Sequence, residues 1–283
     1  MPPRTNPTAR QVRLGTELKR LRECAGVAAV EAARVIGVDP GKMSYIESGR
    51  VAVSEGRLCA LAGHYRCTDE SLVNVLVAMT GRQRRGWWEK YRGVVDPLTL
   101  DVAELEHHAV CLNSFQVVHV PGILQTAEYV RSLYSNDMHE LSEEEVEAVV
   151  DFRVGRRQVL DRKPVLRLDV FIHEAALRIR VGDRKVAHDQ LRFILDMTDR
   201  AGVTVRVIPF ERDGFVAGSF PMLYAEAPVR RLDTVQIDRV HGSTFVDDER
   251  QLANYRRVLG VVGRAALSPS GSRDFIRRIA QQM

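Results

Sequence analysis

Cysteine and long apolar runs are scarce in this chain, and each scarcity removes a class of protein. Four cysteines occur in 283 residues, at Cys24, Cys59, Cys67 and Cys111. No two stand as a C-x-x-C pair, so neither a zinc ribbon nor a thiol redox motif is encoded. All four read as small buried hydrophobes in a reducing compartment. No stretch approaches the roughly 18 apolar residues that a membrane helix needs. The opening MPPRTNPTAR has no apolar signal core, which gives the expectation of a cytoplasmic protein with no membrane role.

Motifs of catalysis are missing too. Neither G-x-S-x-G, a Walker-type loop nor G-x-G-x-x-G is present, so three common chemistries lack their scaffold. His173-Glu174 lacks the second histidine of H-E-x-x-H. His107 and His108 are adjacent, and adjacent residues on a helix face different sides. His241-Gly242-Ser243 stands alone and reads as a loop. The expectation is a protein that is not an enzyme, with no catalytic residue, no cofactor and no bound metal.

What is present is an uneven charge. Net charge is +4, yet residues 1–92 hold 16 Lys and Arg against 9 Asp and Glu. The rest of the chain is therefore slightly acidic. A basic excess gathered in the first third attracts a polyanion.

The apolar pattern divides the chain along the same line. Residues 1–9 hold three prolines and read as a disordered lead. Residues 10–80 read as five helices. Leu14, Leu18 and Leu21 recur at i, i+4 and i+7 on the first. A second helix runs from Ala28 to Ile36 and stops at Gly37. Asp39 and Pro40 cap and open a third, which Gly49 ends. A fourth follows Ser54, and the fifth, at 69–79, looks apolar all round. Residues 81–92, GRQRRGWWEKYR, form a basic linker.

Residues 93–283 mix helices and strands. Helices are expected near 101–112, 123–134, 142–160, 186–200, 248–266 and 272–282. Strands are expected near 116–120, 165–172, 203–210, 219–226 and 234–246. The fold class is thus an all-α five-helix domain followed by a larger α/β (α+β) regulatory or interaction domain with a mixed sheet.

Residues 29–47, AVEAARVIGVDPGKMSYIE, carry the functional argument. Two short helices crossing steeply over a tight turn need a small residue at their contact, a glycine in the turn and apolar residues between them. Ala33, Gly37, Met43 and Ile46 satisfy these demands, with Ala32, Ile36 and Val38 completing the core. Arg34, Lys42 and Arg50 fall outside it, where they can reach phosphates.

These residues resemble the five-helix helix-turn-helix domain of lambda- and Cro-type (XRE) repressors, and SYIESGR resembles the end of that family's recognition helix. The resemblance implies that the third helix enters the major groove. Pro40, Gly41, Ser44 and Tyr45 would then face bases, and Lys42 and Arg50 phosphates. Ala29 stands where the family often has glutamine. Pro40 has no donor and Gly41 no side chain, so direct readout falls to Ser44 and Tyr45, and specificity is expected to be shape-led or partner-assisted.

Further along, Trp87-Trp88-Glu89-Lys90-Tyr91, Val120-Pro121-Gly122-Ile123-Leu124-Gln125-Thr126, Arg153 and Arg156-Arg157-Gln158 occur in order. Together they resemble the domain that follows this motif in WhiJ-like regulators of filamentous actinobacteria. That resemblance implies developmental gene control and a small BldB-like partner protein. Arg153, Arg156 and Arg157 are the candidates for holding a partner or ligand, although a solvated arginine face is the plainer reading of the pattern. The function expected is a homodimeric, sequence-specific regulator bound to double-stranded DNA, whose second domain dimerises and senses a small-molecule effector or a partner. The alternative is an antitoxin-like interaction protein that uses DNA binding for autoregulation.

Overall fold

The computed structural model describes residues 6–80, 86–135, 141–213, 220–239 and 242–283. Residues 81–85 of the basic linker and His241 lie outside the described residues. The chain divides into two compact units, residues 1–89 with 228–232, and residues 90–227 with 233–283.

Five helices build the first unit: α1 (Ala9–Cys24), α2 (Ala29–Val35), α3 (Pro40–Glu47), α4 (Glu55–His64) and α5 (Glu70–Thr80). Thr8 and Gln11 close a capping box at the start of α1, satisfying two backbone donors there. Helical order therefore reaches into the end of the proline-bearing lead. Leu14, Leu18 and Leu21 are buried as one stripe, as their spacing requires. On α5 Leu72, Leu76 and Met79 are buried, and Val73, Val75 and Val77 on its other sides are half-buried.

The second unit opens with α6 (Pro97–His108) and strand β1 (Cys111–Gln116). A 3-10 turn at Gly122–Leu124, α7 (Ala127–Ser135), α8 (Glu143–Gly155) and a 3-10 segment at Arg156–Asp161 lead to β2 (Arg167–His173). Next come α9 (Glu174–Arg178), α10 (Arg184–Met197) and β3 (Val203–Ile208). Strands β4 (Met222–Glu226), β5 (Thr234–Arg239) and β6 (Gly242–Val246), then α11 (Glu249–Ala265) and α12 (Pro269–Gln282), complete it.

The six strands form one mixed sheet in the order β3-β2-β1-β4-β5-β6. β1, β2 and β3 pair in parallel, and β4, β5 and β6 add antiparallel strands. Both faces carry an apolar core. Leu168, Val170, Val205 and Leu223 pack with Leu191, Ile194 and Ile276 of α10 and α12 on one face. Phe115, Phe171, Tyr224 and Val235 pack with Leu252 and Val262 of α11 on the other.

Several sequence expectations shift. The first strand runs over 111–116, not 116–120. Beyond Gln116 the backbone turns toward Pro121, and the Val120 N–H donates to the Tyr129 hydroxyl at 3.2 Å instead of to a strand. The helix expected at 101–112 begins earlier, because Asp96 caps it and Pro97 opens it. The stretch 234–246 is two strands, with Gly242 and Ser243 inside β6 rather than in a loop. Of the cysteines, Cys111 is buried, Cys67 is half-buried, and Cys24 and Cys59 are exposed, so their reading as four core residues does not hold.

Candidate nucleic-acid interface

α2 and α3 form the helix-turn-helix. Ala32 and Ala33 of α2 and Met43 and Ile46 of α3 are almost wholly buried. The small alanines let the two helices approach closely, and Ile36 fills the space beside them. Gly37 sits in the turn at φ +62°, with nothing within 4 Å of the place a Cβ would occupy. Its requirement is backbone conformation and not space. Asp39 then accepts a hydrogen bond from the Lys42 N–H at 2.8 Å, and Pro40 occupies the first turn, where no N–H is missed.

Burial alternates along α3. Met43, Ile46 and Glu47 face inward, while Pro40, Gly41, Ser44 and Tyr45 are exposed. These four positions line one strip of the helix, spaced i, i+1, i+4 and i+5. Lys42 is half-buried and Arg50 is exposed just beyond the helix. All six sequence-derived candidates therefore lie on or beside one helix face.

The far end of α3 is clamped to α1. Arg22 donates to both oxygens of Glu47, at 2.6 and 3.0 Å, and both side chains are largely buried. Burial, with the Glu47 carboxylate nearby, pushes the Tyr65 phenol up to about 12. A Cβ on Gly15 of α1 would lie 2.5 Å from the Glu47 carbonyl oxygen, so the two backbones touch there. The exposed strip of α3 thus sits on a rigid support, which an interface that must match a groove requires.

Residues 13–76 match the family model of a helix-turn-helix domain. Residues 99–278 match a second model, that of the domain of unknown function DUF5753. The chain belongs to the DUF5753 family. No curated protein and no solved structure matches it.

Within the DUF5753 region the structure explains why two separated sequence marks go together. Residues 120–126 meet the arginines in the last turn of α8 and just beyond it. Arg153 donates to the Gln125 side chain at 3.0 Å and to the Tyr134 hydroxyl at 2.8 Å. Arg157 donates to the Gln125 carbonyl oxygen and lies over the Phe193 ring at 4.3 Å. Arg156 donates to both oxygens of Glu106, at 2.9 and 2.6 Å. Gln190 brackets the same turn, accepting from the Thr126 N–H and donating to the Leu124 carbonyl, each at 2.7 Å.

The three arginines are therefore not a solvated face. α8 ends at Gly155, so Arg156 and Arg157 leave its helical periodicity and turn inward. Sequence reasoning missed Glu106 as the partner of Arg156, because 50 residues separate them. The signal it could have used was that two of the three acids of α6, Glu104 and Glu106, fall at inward positions that are otherwise apolar.

Proposed function

We propose that the protein is a transcriptional regulator that reads DNA as a dimer through the exposed strip of α3, while its DUF5753 domain supplies dimer contacts and receives a signal. The observation that carries this reading is the division of α3. Its inward residues build a helix-turn-helix core, and its outward residues, flanked by Lys42 and Arg50, make no side-chain hydrogen bond among the described residues. A dimer would contact two half-sites roughly 34 Å apart, so a pseudo-palindromic site is expected. We place the protein in the cytoplasm, on the nucleoid.

Pro40 and Gly41 favour a second reading. They occupy the end of α3 that first meets bases, and neither brings a side-chain hydrogen bond. Specificity supplied by shape or by a bound partner follows naturally from that. The WhiJ-like resemblance suggests a small BldB-like partner, and an antitoxin-like role with DNA binding for autoregulation is the form this takes.

A salt titration of duplex binding tests the first reading. Affinity is expected to fall steeply with salt, and Lys42→Gln and Arg50→Gln should each lower the logarithmic slope by about 1. Binding that is absent at low salt, or unaffected by either change, contradicts it. Co-purification of a stoichiometric small protein from the native host distinguishes the second.

A further inference from the structure

The second unit has a half-open pocket of about 540 Å³, within the range of sites that hold small molecules. One wall is the sheet, where Leu112, Ser114, Leu168, Leu223 and Gln236 share a face. The other is the pinned turn at Gly122–Leu124, with Tyr134, Arg153, Arg156 and Glu106 behind it. Toward β3 that same sheet face is filled by α10 and α12. Toward β5 its residues become polar and the space stays open.

The polar groups around this space have hydrogen-bonding capacity to spare. Arg156 spends Nε and Nη2 on Glu106, and Nη1 has no protein partner among the described residues. Ser114, Gln116 and His119 likewise make no side-chain hydrogen bond among the described residues. The Tyr134 hydroxyl accepts from Arg153 and keeps its own proton to give. Asp238 accepts from Gln236 and Ser243 through one oxygen, at 2.6 and 3.2 Å, leaving the other open. Gln116 is half-buried and His119 and Asp238 are exposed, so these groups meet water in the empty pocket and can exchange it for the hydroxyls of a ligand.

Charge narrows the occupant. Arg153 and Arg156 are offset by Glu106 and Asp238, and desolvation together with Arg153 holds His119 below its usual range. The formal charges of the lining sum to zero, so an ion gains no net attraction from the lining as a whole to offset its desolvation. Leu112, Leu168 and Leu223 give a flat apolar floor beneath a polar rim. We infer that this cavity binds an uncharged, hydroxyl-rich small molecule of sugar or nucleoside size, lying on the leucine floor and hydrogen-bonded by Ser114, Gln116, Arg156 and Asp238. This deepens the signal-receiving reading above and rests on it only for the regulatory consequence.

The test is thermal unfolding and calorimetric titration of the full chain without DNA. The probes are glucose, N-acetylglucosamine and uridine, each beside its phosphorylated form. At least one neutral probe should raise the melting temperature, with its phosphorylated form binding roughly tenfold or more weakly. The pattern of shifts tells sugar from nucleoside. Gln116→Leu, at the rim, should keep the ligand-free melting temperature, Asp238→Leu should lower it by the bonds given up to Gln236 and Ser243, and both should lose the response relative to their own ligand-free values. Equal or tighter binding of the phosphorylated forms, no response to any neutral probe, or a response that survives both substitutions would overturn the assignment. Because the readout contains no DNA, failure of the DNA-binding reading leaves this result intact, and the duplex titration is equally blind to the cavity.

Discussion

A Cβ built on Gly122 would stand 2.5 Å from Nη1 of Arg156. A side chain there would oblige the tip of the Arg156 guanidinium to shift while it grips Glu106. The proline-glycine step that reads as a tight turn in the sequence is thus also a slot for an arginine 34 positions later. Glu106 is 3% exposed and Arg156 is 11% exposed, so the carboxylate depends on the guanidinium rather than on water.

Arg156→Met should therefore be severely destabilising, by roughly 3–5 kcal/mol, because it leaves a buried carboxylate unpaired. Gly122→Ala should cost less, about 1–3 kcal/mol, as the side chain is pushed aside. Urea unfolding measures both. A wild-type midpoint for Arg156→Met would show that the pair contributes nothing.

The two faces of α3 should separate stability from binding. Met43 is fully buried, and Met43→Ala is expected to cost about 2–5 kcal/mol and to lose DNA binding through unfolding. Ser44→Ala is exposed and should change stability by less than about 0.5 kcal/mol while weakening duplex binding. Circular dichroism melts beside gel shifts distinguish the two, and a stability loss from Ser44→Ala would mean the face is misassigned.

Gly15 makes a sharper demand on the same domain. Its missing Cβ leaves room for the Glu47 carbonyl, which belongs to backbone and cannot swing away. Gly15→Ala should part α1 from α3, costing about 1–3 kcal/mol, even though alanine is the better helix former. An increase in melting temperature would refute the close approach.

Much of the first unit was legible because its signals are local. Capping by Asp39, the turn at Gly37 and the burial of Ala33, Met43 and Ile46 all follow from spacing over a few residues. The mixed sheet was legible as a class, from the β-rich runs after Pro164. The arginine cluster was not, because α8 gives way to a 3-10 segment at Arg156 and periodicity no longer predicts direction. The polar side of β5, Gln236 and Asp238 alternating with Val235 and Ile237, was visible as a pattern. Alternation alone does not say whether a polar face meets water or a cavity.

Acid should loosen the second unit through His173. The Ala175 N–H donates to its Nδ1 at 3.3 Å, which needs the ring neutral. Burial lowers its pKa, with Glu174 opposing in part. An unfolded imidazole takes up a proton near pH 6.5 while the folded one resists. The stabilisation is thus fully present above about pH 6.5 and is lost as pH falls through the lower folded value. His173→Asn keeps an acceptor that cannot titrate, so its stability profile should be flatter as pH falls below about 6.5. An unchanged slope would assign the acid sensitivity elsewhere.

The central claim is that α3 reads sequence. Selection from a random duplex library, with the wild-type protein and a Ser44→Ala, Tyr45→Ala variant each at low and high salt, tests it most directly. The account predicts a pseudo-palindromic motif that the wild type enriches at both salts and the variant loses. Enrichment of the same motif by the variant, or salt-sensitive binding with no motif for either, would contradict it and move specificity to a partner.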